Sequence, residues 1–231
     1  MRAVIPALAV ILCAAGSIRA DEAAAQDISS PYRFIEERQE AGFFAGYMSA
    51  KTGRFGYGPS GGLWLGGRYG LELSGPLSIE GVAGLVRGTR DIINPRRPEG
   101  DRIIGEADAL IPTVEGRLKL SLVGRRAWRG LSPFLVTGGG VAWDVAAAPE
   151  ADEPLESDEV FDFGSSFFGT AGIGTRWYVS ERFTLRTDAI FSLWNISTPV
   201  GFGDPELDSG PVQEGEWVRG LSITGSLLFR W

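Results

Sequence analysis

The sequence contains no histidine, and its only cysteine is Cys13. The missing imidazole removes the commonest general base and the commonest metal ligand. A single cysteine excludes an intramolecular disulfide and a cysteine-based metal site. The formal net charge of −7 argues against a nucleic-acid-binding protein, because phosphates attract a basic surface. We therefore expect a non-enzymatic protein with no catalytic residue, no cofactor and no metal.

Long hydrophobic runs are also missing. The apolar segment at residues 3–15 follows Arg2 and is too short to cross a bilayer as a helix, so it is typical of a secretory signal peptide. Small residues allow cleavage after Ala25 or after Ala20, and either cut removes Cys13. We expect a signal peptide at 1–25, a periplasmic N-terminal segment at 26–40 and one further domain at 41–231. Residues 33–39 of that segment could form either a short helix or an ordered or frayed tail, and the sequence leaves both alternatives open.

What the sequence does contain is alternation with a period of two, which is clearest in the last segment. Apolar side chains occupy one face of that segment: Leu221, Ile223, Leu227, Phe229 and Trp231. Small or polar side chains occupy the other face, with Leu228 as the exception: Gly220, Ser222, Thr224, Ser226 and Arg230. Successive side chains of a β-strand point to opposite faces. The segment is therefore predicted to be a strand with one oily face.

Seven further segments are strand-like, although two of them, near residues 43–50 and 133–145, have a less clear phase. Short turns near Gly75 and Glu181, and a moderate one at 124–130, alternate with long loops at 51–59, 91–105, 146–165 and 197–216. This is the pattern of an all-β, eight-stranded antiparallel up-and-down transmembrane β-barrel, with both chain ends on the periplasmic side. A soluble lipocalin-like barrel or sandwich also alternates and is the competing interpretation.

The signal peptide, the eight alternating segments and the ending LSITGSLLFRW at 221–231 resemble the small outer-membrane barrels of the OmpA, OmpX and OmpW type. The resemblance implies a bacterial outer-membrane location and a monomer in contact with outer-membrane lipids or lipopolysaccharide. It also implies that Phe229 and Trp231 act as a signal for the barrel-assembly machinery. A peptidoglycan-binding domain is not expected, because the chain ends at Trp231.

Charged residues that share the inward face of the predicted strands are the main candidate site. By parity these are Arg68, Glu72, Glu80, Glu115, Arg117, Lys119, Arg176, Arg186, Asp188 and Arg230. Charges that leave bulk water need partners, so we predict an ion-pair network that fills the lumen. A proton or ion path is the functional alternative. Inward glycines such as Gly174 would make room for long arginines.

Two patterns concern the ends of the barrel. The first two long loops carry basic residues and the last two carry acidic ones, which favours simple solvation, with lipopolysaccharide phosphates or a divalent cation as alternatives. Aromatics form two predicted girdles at the membrane interfaces. One contains Trp143, Trp194 and Trp217, and the other contains Phe134, Trp177, Phe183, Phe229 and Trp231.

The preferred function is a structural or surface-interaction barrel with a filled lumen. The alternative is a narrow transporter or channel for small or hydrophobic solutes, which is weakened because no apolar lining is seen to span the lumen. A barrel enzyme is the poorest interpretation, since such enzymes resemble this fold but typically use histidine. The sequence predicts no nucleic-acid partner.

Overall fold

The structure is a computed structural model that describes residues 30–98, 100–146, 155–207 and 210–231. The predicted signal peptide with Cys13 lies outside the described residues, as do four acidic loop residues, Glu150, Asp152, Glu153 and Asp208. Residues Pro31–Trp231 form one compact unit. No described residue belongs to a helix that is long and apolar enough to cross a membrane.

Ten strands and two short 3-10 helices make up the regular structure of the described residues. The strands are β1 (Tyr32–Phe34), β2 (Gln39–Ala50), β3 (Gly61–Ser74), β4 (Leu77–Ile93), β5 (Ile103–Ser121), β6 (Arg126–Trp128), β7 (Leu131–Trp143), β8 (Ser165–Tyr178), β9 (Phe183–Ser197) and β10 (Gly215–Arg230). The 3-10 helices, Val200–Gly203 and Pro205–Leu207, lie in the last long loop.

Eight of these strands close into an antiparallel barrel. Each pairs with the next in the chain, with β5 next to β7, and β10 returns to pair with β2. The closing pair brings Leu227 opposite Phe43 and Arg230 opposite Glu40. Closure leaves no unpaired barrel edge. The predicted eight-stranded up-and-down barrel is confirmed.

Alternation decides which residues face outward. On β10 every second residue from Trp217 to Phe229 is exposed, while the residues between them from Val218 to Arg230 are buried. Leucine, phenylalanine and tryptophan therefore cover the outside, and serine, threonine and arginine turn inward. Arg87 interrupts the apolar exterior near the long-loop end of β4.

The N-terminal segment is not helical over residues 33–39. Instead, β1 pairs with β6 to form a small antiparallel ribbon, and Ile35 is buried with Ala127 and Tyr178. The first barrel strand starts at Gln39, two residues before the expected boundary at 41. Gln39 and Trp231 exchange backbone hydrogen bonds of 3.3 and 3.2 Å, so the two ends of the barrel sequence meet at the short-turn side.

Candidate functional site

Glu80, on β4, is the centre of a buried group of charges in the lumen half nearer the short turns. Its carboxylate accepts hydrogen bonds from Arg186, one of them 3.1 Å long from Nη2, and from Lys119 Nζ at 3.3 Å. Two more guanidinium groups lie within ion-pair distance, Arg68 at 3.9 Å and Arg117 at 3.7 Å. The Glu80 side chain is fully buried. One carboxylate thus faces four cations from three other strands.

Asp188 and Glu115 divide these arginines between them. Asp188 accepts from Arg68 Nη1 at 2.5 Å and from Arg186 Nε at 2.8 Å. Glu115 is held by the two ends of one guanidinium, Arg117 Nε at 2.7 Å and Nη2 at 2.8 Å. Such paired contacts are the strongest form of hydrogen bond between charged groups. Each carboxylate therefore has a fixed cationic partner besides its weaker neighbours.

Glu40 completes the group from β2. It accepts a hydrogen bond from Lys119 Nζ at 2.5 Å and one from Arg176 Nη1 at 3.4 Å. We call the whole set the charged layer. It consists of Glu40, Arg68, Glu80, Glu115, Arg117, Lys119, Arg176, Arg186 and Asp188. It contains five cations and four carboxylates, and each of these nine residues lies within ion-pair distance of at least one opposite charge.

An inward aromatic ring supports the cations. The guanidinium of Arg186 lies 4.5 Å from the centre of the Phe134 ring, and Arg176 and Lys119 lie at 5.6 and 5.7 Å. Cations are attracted to the face of an aromatic ring at such distances. Gly174 leaves the space that this packing needs, because a Cβ there would collide with the Phe134 ring and with Asp188. Phe134 was predicted to lie in an interfacial girdle, and that prediction is wrong, since its side chain faces the lumen.

Two of the expected inward residues do not join the charged layer. Glu72 sits at the short-turn rim and accepts from Arg125 Nε at 3.1 Å. Arg230 donates to Glu37 at 2.9 Å and to the backbone carbonyls of Ser180 and Glu181. The remaining expected residues all lie in the layer. These are Arg68, Glu80, Glu115, Arg117, Lys119, Arg176, Arg186 and Asp188.

The lumen half nearer the long loops is apolar. We call its residues the apolar cluster, and within the barrel they include Phe44, Met48, Trp64, Val86, Ile111, Phe168, Trp194 and Val218. Trp194 stacks on Phe168 with ring centres 4.3 Å apart. Because Trp194 is buried here, its predicted place in the outer girdle is also wrong. A small cavity of about 30 Å³ lies beside Met48 and Trp194.

The long loops fold over this half and close it. Tyr57 is buried against Phe161 and Phe202, with ring centres 4.7 and 5.4 Å away. Its hydroxyl donates to Thr198 Oγ1 at 3.0 Å, and burial raises the pKa of that hydroxyl, so it stays protonated. The apolar lining therefore ends at a cap above and at the charged layer below, and it does not span the lumen.

Ion pairs between loops account for part of their opposite charges. Arg96 of the second loop contacts Glu159 at 2.5 Å and Glu156 at 2.9 Å in the third. Arg54 of the first loop donates its backbone N–H to Glu216 beside the fourth. Among the described residues there is no group of three or more carboxylates that could hold a metal ion. The loop charges act here in pairs that tie neighbouring loops together.

Comparison with known proteins gives the fold. No protein-family model and no curated protein matches the sequence. The outer-membrane protein OprG from Pseudomonas aeruginosa matches in structure with a TM-score of 0.52 and 12% identity, over 86% of this chain and 97% of that one. Neisserial surface protein A matches in structure with a TM-score of 0.48 and 9% identity, over 87% of this chain and 98% of that one. Escherichia coli outer membrane protein W matches in structure with a TM-score of 0.44 and 14% identity, over 85% of this chain and 99% of that one. The chain has the fold of the small bacterial outer-membrane β-barrels.

Proposed function

We propose that this protein is an integral outer-membrane barrel with a structural or surface-interaction role and a closed lumen. The observation that carries the proposal is the inverted distribution of side chains. Large apolar residues such as Phe43, Phe167 and Ile223 are exposed on the outer wall, while arginines and carboxylates are buried within. A soluble barrel would reverse this arrangement. An apolar exterior over closed strands suits a bilayer, where each backbone polar group needs an internal partner.

A closed lumen follows from three barriers in series. The loop cap around Tyr57 covers the far end, the charged layer fills the lumen half nearer the short turns, and the N-terminal segment crosses the mouth on the short-turn side. That last barrier is fixed by hydrogen bonds of 2.9 Å from Ile35 N to Arg125 O and 2.8 Å from Glu72 N to Arg38 O. An eight-stranded barrel has an interior just wide enough for its own side chains. The described side chains therefore fill the width that a wide aqueous pore would need.

Fractionation and conductance test the proposal. The protein should be found in the outer membrane, and the folded form should migrate differently from the boiled form on electrophoresis. Reconstituted in a planar bilayer, it should give no large, steady ion conductance. Recovery as a soluble periplasmic protein would overturn the membrane location. Stable channels that pass small solutes would overturn the closed lumen while leaving the location intact.

The apolar cluster favours a second candidate function, a narrow passage for hydrophobic solutes. It supplies an apolar space next to the loop cap, but the charged layer blocks an axial route from it to the short-turn side. Cells that carry the protein should then take up an apolar dye faster than cells that lack it. No difference in uptake would leave the structural role as the better assignment.

The proposed partners are outer-membrane lipids and, during assembly, the barrel-assembly machinery. Phe229 stacks against Trp231 at 5.9 Å and packs edge-on against Phe183 at 5.6 Å, so the final aromatics sit together on the outer wall. Deleting Trp231 should reduce membrane insertion, if these rings are read as an assembly signal. Normal yield of folded barrel after the deletion would remove that role.

A further inference from the structure

The small β1–β6 ribbon continues the outer wall of the barrel beyond its short turns. Tyr32 is paired with Trp128, Trp128 with Leu131, and Leu131 with Trp177. Directly opposed residues on adjacent strands share one face of the sheet. Leu131 and Trp177 belong to the exposed outer wall. The ribbon therefore presents Tyr32 and Trp128 on the same side as the surface that faces the bilayer.

This extension carries an unusual density of exposed aromatic rings. Tyr32 is 47% exposed, Phe34 53%, Trp128 44% and Trp177 53%. Tryptophan and tyrosine are enriched at membrane–water interfaces, where the ring lies at headgroup level and its polar edge reaches water. We call these four residues, together with Arg126 and Arg129, the rim ledge. Its position at the end of the apolar wall fits headgroup depth.

The two arginines of the rim ledge differ from their neighbours in having no carboxylate partner among the described residues. Nearby, Arg33 lies 3.5 Å from Glu181, and Arg125 is paired with Glu72. By contrast, Arg126 is exposed opposite Phe34 in the ribbon. The guanidinium of Arg129 lies 5.4 Å from the Trp128 ring. Two positive charges thus border an apolar aromatic surface, and neither forms an ion pair with a described carboxylate.

The backbone at Arg129 is strained. Its φ is 50°, and it is the single non-glycine residue with a positive φ in the part of the chain that the structure describes. Gly130 follows with a φ of 83°, so both central residues of the tight turn between β6 and β7 are left-handed. Asparagine and glycine favour such a turn, and arginine does not. The backbone N–H of Arg129 donates to the carbonyl of Pro31 at 2.9 Å, which helps to hold this conformation, and backbone strain of this kind clusters at ligand-binding sites.

We propose that the rim ledge binds the phosphate groups of anionic phospholipids in the periplasmic leaflet of the membrane. A guanidinium matches a phosphate with two parallel hydrogen bonds, which makes Arg126 and Arg129 suited to this contact. The aromatic rings then pack against the glycerol and the upper acyl chains. The inference rests on the proposed outer-membrane location, because it requires the ledge to lie at headgroup depth.

Native mass spectrometry of the folded, full-length mature protein tests this lipid preference. Detergent-solubilised protein is mixed with equal amounts of phosphatidylglycerol and phosphatidylcholine that carry the same acyl chains. Wild type should retain phosphatidylglycerol roughly thirtyfold better, since each of the two arginines near an anionic lipid contributes about fivefold, the equivalent of about 1 kcal/mol. The double variant Arg126→Gln/Arg129→Gln should retain both lipids alike.

A matched control removes two arginines from the outer wall at the opposite end of the barrel. Arg87→Gln/Arg219→Gln should keep the wild-type lipid preference, because both residues are exposed near the long loops. If the lipid preference persists without Arg126 and Arg129, or falls equally in the control, the proposal that the rim ledge binds anionic phospholipids is wrong. Wild-type protein that retains the two lipids equally would overturn it as well.

Arg129→Gly separates lipid binding from turn stability. Glycine accepts the positive φ, so the midpoint of unfolding should stay unchanged or rise, while the preference for phosphatidylglycerol should fall several-fold. A variant that loses stability without losing the preference would give Arg129 a structural role and contradict the proposal. These failures leave a heat-modifiable barrel in the membrane fraction. Failure of the proposed function, by contrast, would appear as soluble wild-type protein and would remove both proposals.

Discussion

The two halves of the lumen are filled by opposite kinds of chemistry. Near the short turns, the charged layer holds five cations and four carboxylates in a network of ion pairs, and four of the cations surround Glu80. Near the long loops, the apolar cluster packs tryptophan, phenylalanine and aliphatic side chains under a cap of loop aromatics. Both halves are filled by buried side chains, and the same strands pass through both.

The difference lies in how strictly each filling specifies its neighbours. A buried charge requires an opposite charge at hydrogen-bond distance, so each member of the charged layer constrains the strand across the lumen. An apolar side chain requires only a partner of suitable volume. The charged layer should therefore fix the register and alignment of distant strands, such as β3 and β9 through Arg68 and Asp188. The apolar cluster should tolerate exchange of one apolar side chain for another.

The largest expected effect is at the centre of the charged layer. Glu80→Gln keeps the size of the side chain but removes the charge that faces four cations. Breaking a buried ion pair from one side costs about 3–5 kcal/mol, because the remaining charges stay buried without compensation. The free energy of unfolding, measured by urea titration of the barrel folded in lipid vesicles, should fall by about that amount.

Glu106→Gln is the control for this variant. Glu106 is exposed near the long-loop end of β5, and its loss should change the free energy of unfolding by less than about 0.5 kcal/mol. If Glu80→Gln were equally harmless, the charged layer would be a well-hydrated group of independent charges. The contrast between the two halves of the lumen would then disappear.

Much of the charged layer could be predicted from the sequence, because a strand period of two assigns each charge to a face. Arg68, Arg186 and Asp188 follow directly from that rule. Glu40 was missed, because the expected periplasmic segment at 26–40 placed it outside the barrel, and because residues 42–46 are apolar or small on both faces of β2 and hide the phase of the strand. Only the structure shows that Glu40 shares the inward face of β2 with the buried Phe44 and Met48.

The apolar cluster was harder to predict for a related reason. Inward Trp194 and outward Leu193 are both apolar, so the alternation between the two faces is lost at this end of β9. The sequence therefore did not show that Trp194 faces the lumen, and it was assigned to the aromatic girdle. The pairings themselves lie beyond sequence reasoning, since Arg68 and Asp188 meet across 120 residues and across the barrel. Only closure of the sheet determines which strands face each other.

A middle-sized effect should come from the lysine of the charged layer. Lys119→Met keeps the length and apolar stem but removes the ammonium that Glu40 and Glu80 share at 2.5 and 3.3 Å. Both carboxylates retain arginine neighbours, so the loss should be that of hydrogen bonds to charged groups, about 1.5–3 kcal/mol. The same urea titration measures it.

Lys51→Met is the matching control, because Lys51 lies exposed at the long-loop end and should change the free energy of unfolding by less than about 0.5 kcal/mol. A more stable Lys119→Met barrel would mean that burying the ammonium costs more than its two contacts return. The charged layer would then be a source of specificity at the expense of stability.

The smallest effect is expected in the apolar cluster, at Met48. This side chain is 5% exposed and lies beside the cavity of about 30 Å³, so its neighbours have room to adjust. Met48→Leu conserves volume and hydrophobicity, and such exchanges usually cost less than about 1.5 kcal/mol. Met48→Gln has a similar length but buries an amide with no partner prepared for it, so it should cost about 1–3 kcal/mol. Urea titration of both variants separates tolerance of shape from tolerance of polarity.

If Met48→Leu cost as much as Glu80→Gln, the apolar half would specify its neighbours as strictly as the charged half does. The two fillings would then differ in chemistry alone.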